Sequence, residues 1–132
     1  LARLILDTSM LVDAERGGGG LAAAVADGDD VAVAAITVAE LRVGVSLATG
    51  RRRKKRELFV AGVLDAVSVE TYDLEVAAAH AVLLAHVRRV GTPRGTYDLI
   101  IAATGLARDR AVVTLDRRSF ADLPGVAVVE LD

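Results

Sequence analysis

Residues 3–15 read RLILDTSMLVDAE, and their order of types decides how the rest of the chain is read. A short apolar run at 3–6 ends in an acid, Asp7, and a helical pattern over 9–15 follows. Apolar residues without polar alternation mark a strand covered on both faces, as in a parallel sheet. The glycines at 17–20 stop the helix, since each costs about 1 kcal/mol relative to alanine inside one. A second short helix is predicted over 21–26.

The same alternation continues along the chain. VAVAAI at 31–36 is the next predicted strand, bounded by Gly28, Asp29 and Asp30. Helices are predicted over 37–48 and 51–66, and VSV at 67–69 is a short strand. The longest helical pattern covers 73–90, with Leu74, Ala77, Ala78, Ala81, Leu84, Ala85 and Arg88 three or four residues apart. A loop of Gly91, Thr92, Pro93, Arg94 and Gly95 ends it. A helix over 97–108 and strands over 111–114 and 126–131 complete the chain. The expected fold is α/β: one domain over 1–132, with a central, mostly parallel sheet flanked by helices in three layers.

Four acids occupy corresponding places in this pattern: Asp7, Glu40, Asp98 and Asp116. Each stands where a strand ends or a helix begins. Parallel strands share a carboxyl edge, and open α/β sheets bind ligands there. Each acid also has a structural explanation. Asp7 and Asp116 can cap the helices that follow them. Thr37 and Glu40 have capping-box spacing. Asp98 in a first helical turn suits the macrodipole. Four coincidences at one edge are harder to explain singly. Converging carboxylates repel one another unless a hard cation, Mg²⁺ or Mn²⁺, lies between them, and such sites hydrolyse phosphodiesters.

Composition narrows the chemistry. The chain has 132 residues, 53% of them hydrophobic and only 3% aromatic, so the core is aliphatic. No cysteine is present, which excludes disulfides, thiolate zinc sites and a cysteine nucleophile. His80 and His86 are the only imidazoles, too few for a multi-histidine centre. The N-terminal stretch does not read as a signal peptide, and no apolar run approaches the ~20 residues that span a bilayer, so a cytoplasmic protein without membrane contact is expected. Net charge is −2, yet residues 51–56 read RRRKKR. Arg52, Lys55 and Arg56 share one helical side and are candidates for RNA phosphates or for a protein partner. Arg94, Arg108, Arg110, Arg117 and Arg118 are placed nearer the acidic edge, with helix-end charge compensation favoured for Arg108 and Arg110. Packing or surface roles are expected for the two histidines, and core or rim packing for Tyr97. Met10, Leu11, Val43 and Leu47 exceed what a small core needs and suggest a homodimer or partner groove.

LILDTSMLVD at 4–13, ITVAELRVGV at 36–45, GTPRGTYDLIIAATG at 91–105 and VVTLDRRSFADLPGV at 112–126 resemble, in order and spacing, the acidic motifs of PIN-domain ribonucleases. The likeness is greatest to the VapC toxins of bacterial toxin–antitoxin pairs. It implies a PIN-like fold, a divalent-metal-dependent endoribonuclease that inhibits growth, a VapB-type antitoxin, and a homodimer within the complex. Asp7, Glu40, Asp98 and Asp116 fall on the family's acidic positions, as metal ligands and catalytic groups. Thr8 and Thr114 fall on supporting hydroxyls. Arg94 and Arg117 join Arg52, Lys55 and Arg56 as candidate RNA contacts. Many relatives carry a further acid where this chain has Ser119, which puts a second metal ion in question.

Two other classes compete. A receiver-type signalling module would also gather acids and Mg²⁺ at this edge. It needs paired acids after the first strand and a lysine after a later one, whereas Asp7 is followed by Thr8 and Ser9, and VVT by Leu115 and Asp116. A DNA-directed or inactive PIN scaffold shares the motifs; an intact quartet disfavours the inactive version.

Overall fold

The computed structural model describes residues 1–129. Four strands, β1 (Arg3–Leu6), β2 (Asp30–Ala34), β3 (Ser68–Glu70) and β4 (Ala111–Val113), form one sheet in the order β3-β2-β1-β4. Every pairing is parallel, with Leu6 opposite Val33 on one side and Val113 on the other. The helices are α1 (Thr8–Glu15), α2 (Gly20–Ala24), α3 (Ala35–Leu47), α4 (Gly50–Ala66), α5 (Leu74–Val90) and α6 (Thr96–Arg108).

The apolar strands feed two cores. Ile5 and Val112 point to one face, where they meet Val76, Leu83, Leu99 and Ile101 of α5 and α6. Leu4, Leu6, Val33 and Val113 point to the other, against Met10 and Leu11 of α1, with Leu41, Phe59 and Val63 at its margin. The period-two alternation of a strand therefore survives where every residue is apolar, because both faces are covered. Each fully buried aliphatic side chain contributes roughly 1.5–3 kcal/mol. Gly105 lets α6 lie directly on the sheet: a Cβ there would stand 3.0 Å from the Arg110 carbonyl oxygen and 3.2 Å from Ile5.

Several expectations are corrected. The strand predicted over 31–36 ends at Ala34, and Ala35 and Ile36 open α3. Thr37 is thus inside the helix, and no capping box forms. The short helix expected over 21–26 runs from Gly20 to Ala24. Of the strand predicted over 126–131, the described residues show a single parallel bridge between Val112 and Val128, and residues 130–132 lie outside those described. Met10 and Leu11 are buried in the core, leaving Val43 and Leu47 as the exposed apolar positions of that group.

Arg108 and Arg110 are also displaced from the acidic edge. α6 starts at the carboxyl ends of the strands and delivers the chain to the amino end of β4. There Arg110, buried, donates to the Leu4 and Asp30 carbonyls and pairs with Asp30 (2.9 Å) and Glu70 (3.1 Å). Arg108 binds Glu70, Asp73 and Glu75. These arginines tie β1, β2, β3 and α5 together. Among the described residues, no helix is long and apolar enough to cross a membrane.

Candidate active site

The parallel register brings the ends of β1, β2 and β4 level, and the helices that follow start from one crevice. Asp7 continues β1, its amide donating to the Val113 carbonyl at 2.9 Å. Its carboxylate is only 4% exposed. Burying a charge is costly unless donors surround it. Two hydroxyls supply them: Ser9 Oγ at 2.8 Å and Thr114 Oγ1 at 2.7 Å, both donating to Asp7 Oδ2. Thr114 accepts in turn from the Asp116 amide at 2.9 Å, and Ser9 accepts from the Leu115 amide at 3.3 Å. The turn after β4 is thereby fastened to the turn after β1.

Glu40 projects from the second turn of α3. Thr8 Oγ1 lies 2.8 Å from its Oε1 and 3.1 Å from Thr37 Oγ1, and Thr37 is fully buried. Thr8 thus supports Glu40 rather than the aspartate beside it. Burial raises the Glu40 pKa above its usual value of 4.5; the bond from Thr8 offsets part of that, and the charges of Asp7 and Asp98 add to it.

Asp98 is in the first turn of α6, beside Gly95. A Cβ at Gly95 would stand 3.0 Å from Asp98 Oδ2, so a larger residue there would crowd the carboxylate. Burial raises the Asp98 pKa above 3.8, with the charge of Asp7 adding to it, a hydrogen bond with Ser119 opposing it, and the charge of Asp116 adding a smaller rise. Asp116 is exposed at the head of the 3-10 turn Arg117–Ser119, and Ser119 donates to its Oδ2 at 2.6 Å. Ser119, where many relatives have an acid, therefore links the last two members of the quartet.

Asp7 and Asp98 thus act electrostatically on Glu40, Asp7 and Asp116 act on Asp98, and Glu40 and Asp98 line one open cleft of about 500 Å³ with Gly95, Thr96 and Tyr97. Tyr97 is 51% exposed on the cleft wall, not packed in the core. Among the described residues, no three acid or imidazole side chains are arranged to hold a metal ion between them. The donor chemistry still fits a hard ion. All donors are oxygens, the carboxylates repel one another, and Mg²⁺ takes one or two carboxylates and completes its shell with water.

The basic candidates divide. Arg52, Lys55 and Arg56 share one groove with Glu15 and Arg16. Arg94 is committed to structure: its guanidinium donates to the Thr92 and Ala121 carbonyls at 3.0 and 2.9 Å, pinning the loop before α6. Arg117 lies in the 3-10 turn beside Asp116. His80 Nδ1 lies 2.8 Å from the Tyr72 hydroxyl and His86 is half-buried on the same helix, so neither joins the quartet. Sequence reading missed Ser9, Thr37 and Arg16. A hydroxyl two residues after a strand-end acid, as in DTS, is the signal that would have found Ser9.

The model of the PIN domain family matches residues 4–126. Over 128 residues the chain is 36% identical to "Ribonuclease VapC5" of Mycobacterium tuberculosis, covering 96% of this chain and 92% of that protein. Over 96 residues it is 31% identical to "tRNA(fMet)-specific endonuclease VapC" of Salmonella typhimurium, covering 73% of this chain and 71% of the relative. The crystal structure of VapBC-5, from the VapBC family of toxin–antitoxin systems of M. tuberculosis, superposes with a TM-score of 0.78 at 26% identity, covering 99% of this chain and 100% of that one.

Proposed function

Because this chain belongs to the PIN-domain family and is kin to the VapC ribonucleases within it, we propose that it is the endoribonuclease toxin of a type II toxin–antitoxin pair. The whole chain serves as one nuclease domain. It hydrolyses RNA phosphodiesters in the cytoplasm, dependent on Mg²⁺ or Mn²⁺, and slows growth. Its inhibitor is a VapB-type antitoxin, with a toxin homodimer at the centre of the complex. The observation that carries the reading is the placement of Asp7, Glu40, Asp98 and Asp116 at the carboxyl edge of the sheet, with Glu40 and Asp98 on one cleft. Burial and the neighbouring acids raise the pKa of both Glu40 and Asp98, a condition that a bound cation relieves.

The roles follow from the surroundings of each group. Asp7 and Asp98 would hold the ion, Asp7 oriented by Ser9 and Thr114 on Oδ2 so that its other carboxylate oxygen stays available. Asp116 orients water at the ion, fixed by Ser119. When bound, the ion supplies charge neutralisation at the phosphate and acidifies a coordinated water. Glu40, held by Thr8 on the wall of the cleft, is the general base: it takes a proton from the water that attacks phosphorus in line. A new P–O bond forms, the ester P–O bond breaks, and the leaving oxygen takes a proton from solvent water to end as a hydroxyl, while Glu40 returns its proton to solvent. With Ser119 in place of a further carboxylate, a second ion would have one acid fewer to hold it.

The test is Asp98→Asn. It should fold as the wild type does and lose at least ~100-fold in RNA cleavage, on the scale of a lost ligand or charge-stabilising group. Excess EDTA should abolish wild-type cleavage and Mg²⁺ or Mn²⁺ should restore it. Full activity of Asp98→Asn, or full activity in EDTA, would overturn the assignment. Co-expression of the neighbouring reading frame should restore growth, and failure to bind or neutralise would remove the antitoxin.

A further inference from the structure

Two grooves extend away from the acids. One, of about 210 Å³, begins at Thr8 and Glu40 and passes Glu15, Arg16 and Arg56. The other, of about 280 Å³, is lined by Glu15, Arg16, Arg52, Lys55 and Arg56. They share three residues, so they form one channel from the proposed general base, Glu40, to a cluster of four cations, with Glu15 the acid beside those cations. The cations come from two elements. Arg16 caps the end of α1, and the other three occupy one side of α4.

Their bonding state separates them from the arginines that hold the fold together, and their place in the channel separates them from the other exposed cations. Arg3, Arg108 and Arg110 are neutralised by Asp30, Glu70, Asp73 and Glu75. Arg53, on another side of α4, pairs with Glu57. Among the described residues, the side chains of Arg16, Arg52 and Lys55 make no ion pair or hydrogen bond. Arg56 donates to the Gly44 carbonyl at 2.9 Å, which ties α4 to α3 and sets the width of the channel. Unpaired cations in a groove that opens onto a phosphodiester-cleaving centre are suited to a second, uncleaved phosphate.

We propose that this channel is a substrate subsite: Arg16, Arg52 and Lys55 bind the phosphates of single-stranded RNA on one side of the scissile bond. This rests on the ribonuclease reading above. Arg56 shapes the subsite, and Glu15 limits it by repelling phosphates that approach α1. The strand runs from the α4 cations past Thr8 to Glu40, so binding energy gained there positions the scissile phosphate.

The test uses Arg16→Gln/Arg52→Gln/Lys55→Gln, leaving Arg56 in place. In the Asp98→Asn background, fluorescence anisotropy with a labelled single-stranded oligoribonucleotide gives affinity against salt. Each lost phosphate contact lowers the log–log slope by ~0.7, so the triple variant should lose about 2. With Asp98 intact, KM should rise and kcat at saturating RNA should hold. Shortening the RNA from the end that occupies the channel should weaken wild-type binding and leave the variant unaffected. Arg88→Gln/Arg89→Gln on α5 controls for charge alone, and an equal loss of slope there would overturn the proposal. So would an unchanged slope and KM in the triple variant, or unchanged RNA binding with loss of antitoxin affinity, which would assign the face to the antitoxin. If the slope falls but wild-type protein cleaves no RNA, the subsite stands and the nuclease reading fails.

Discussion

Replacing Thr114 by valine tests the site without touching any proposed ligand. Thr114 is 1% exposed, and its hydroxyl does two things. It donates to the buried Asp7 carboxylate at 2.7 Å and accepts from the Asp116 amide at 2.9 Å. Valine keeps the shape and removes both bonds. A hydrogen bond to a charged group contributes about 2 kcal/mol net, and here the partner left behind is a buried carboxylate retaining only Ser9. For a chain of 132 residues, about 2 kcal/mol lowers the melting temperature by about 7 °C. The effect on function should be separate and larger, because groups that orient a metal-binding carboxylate typically matter 10- to 100-fold in affinity or rate.

The assay pairs calorimetry with RNA cleavage under a divalent-ion titration, and Thr114→Ser is the control. Serine keeps the hydroxyl and removes a methyl group, so it should cost about 1 kcal/mol in packing and little in activity. If Thr114→Val matches the wild type in both melting temperature and activity, the Thr114–Asp7 bond contributes nothing and the orienting role is wrong. If Thr114→Ser is as inactive as Thr114→Val, packing rather than the hydroxyl is responsible.

Two other predictions concern the charge of the site. Glu40 and Asp98 have folded pKa values raised above 4.5 and 3.8, so the native state holds their protons more tightly than the unfolded chain does. Stability from these groups is present below the unfolded values and lost as pH rises through the raised ones. In metal-free buffer Glu40→Gln and Asp98→Asn should therefore exceed the wild type in urea midpoint at neutral pH, with the difference shrinking in acid; equal midpoints at neutral pH would refute the repulsion. Ser119→Asp places a further carboxylate between Asp98 and Asp116 and should lower metal-free stability while tightening Mn²⁺ binding measured by calorimetry; unchanged affinity would show that this position does not face the ion.

Much of the fold was legible because strand and helix patterns differ most where the chain is most apolar. LIL at 4–6 and AVV at 111–113 leave little choice; the helix α5 was legible too, but its buried face is Val76, Leu83 and Val87 rather than the stripe through Leu74, Ala78 and Ala81, which is exposed. The junction after β2 was not legible. Ala35 and Ile36 suit a buried strand and a helix start equally, and Ala34 before them offers no capping side chain to mark the change. Arg108 and Arg110 were misplaced for a related reason: sequence distance from Asp98 and Asp116 is short, but α6 carries the chain to the other end of the sheet. Tyr97 was expected in the core or at its rim; its neighbours Leu99, Ile101 and Ala102 are core, and the helix turns Tyr97 outward to the rim, on the cleft. Arg16 was invisible as a site residue because its companions are contributed by α4, distant in sequence.

Three of the four acids had a capping explanation and Asp98 a macrodipole one, and the chain contains a standard against which to judge the capping. Asp73 does cap a helix: its Oδ1 accepts from the Val76 amide at 3.0 Å at the start of α5, and its pKa is lowered, first by that bond. Asp7 and Asp116 occupy N-cap positions and make no such bond. Asp7 is bound by Ser9 and Thr114, Asp116 by Ser119, and Glu40 by Thr8. In each case a hydroxyl replaces the amide that a cap would use. The exchange forgoes roughly 1 kcal/mol per helix, and with Glu40 and Asp98 the chain also accepts raised pKa values that a capping acid avoids. A chain that caps α5 in the ordinary way, yet holds four acids at one sheet edge on hydroxyls and against mutual repulsion, has its cap positions arranged for the crevice rather than for the helices. The same geometry explains why a helix start is a suitable place for such an acid: the backbone turn that would present a carboxylate to an amide also aims it across the carboxyl ends of the strands.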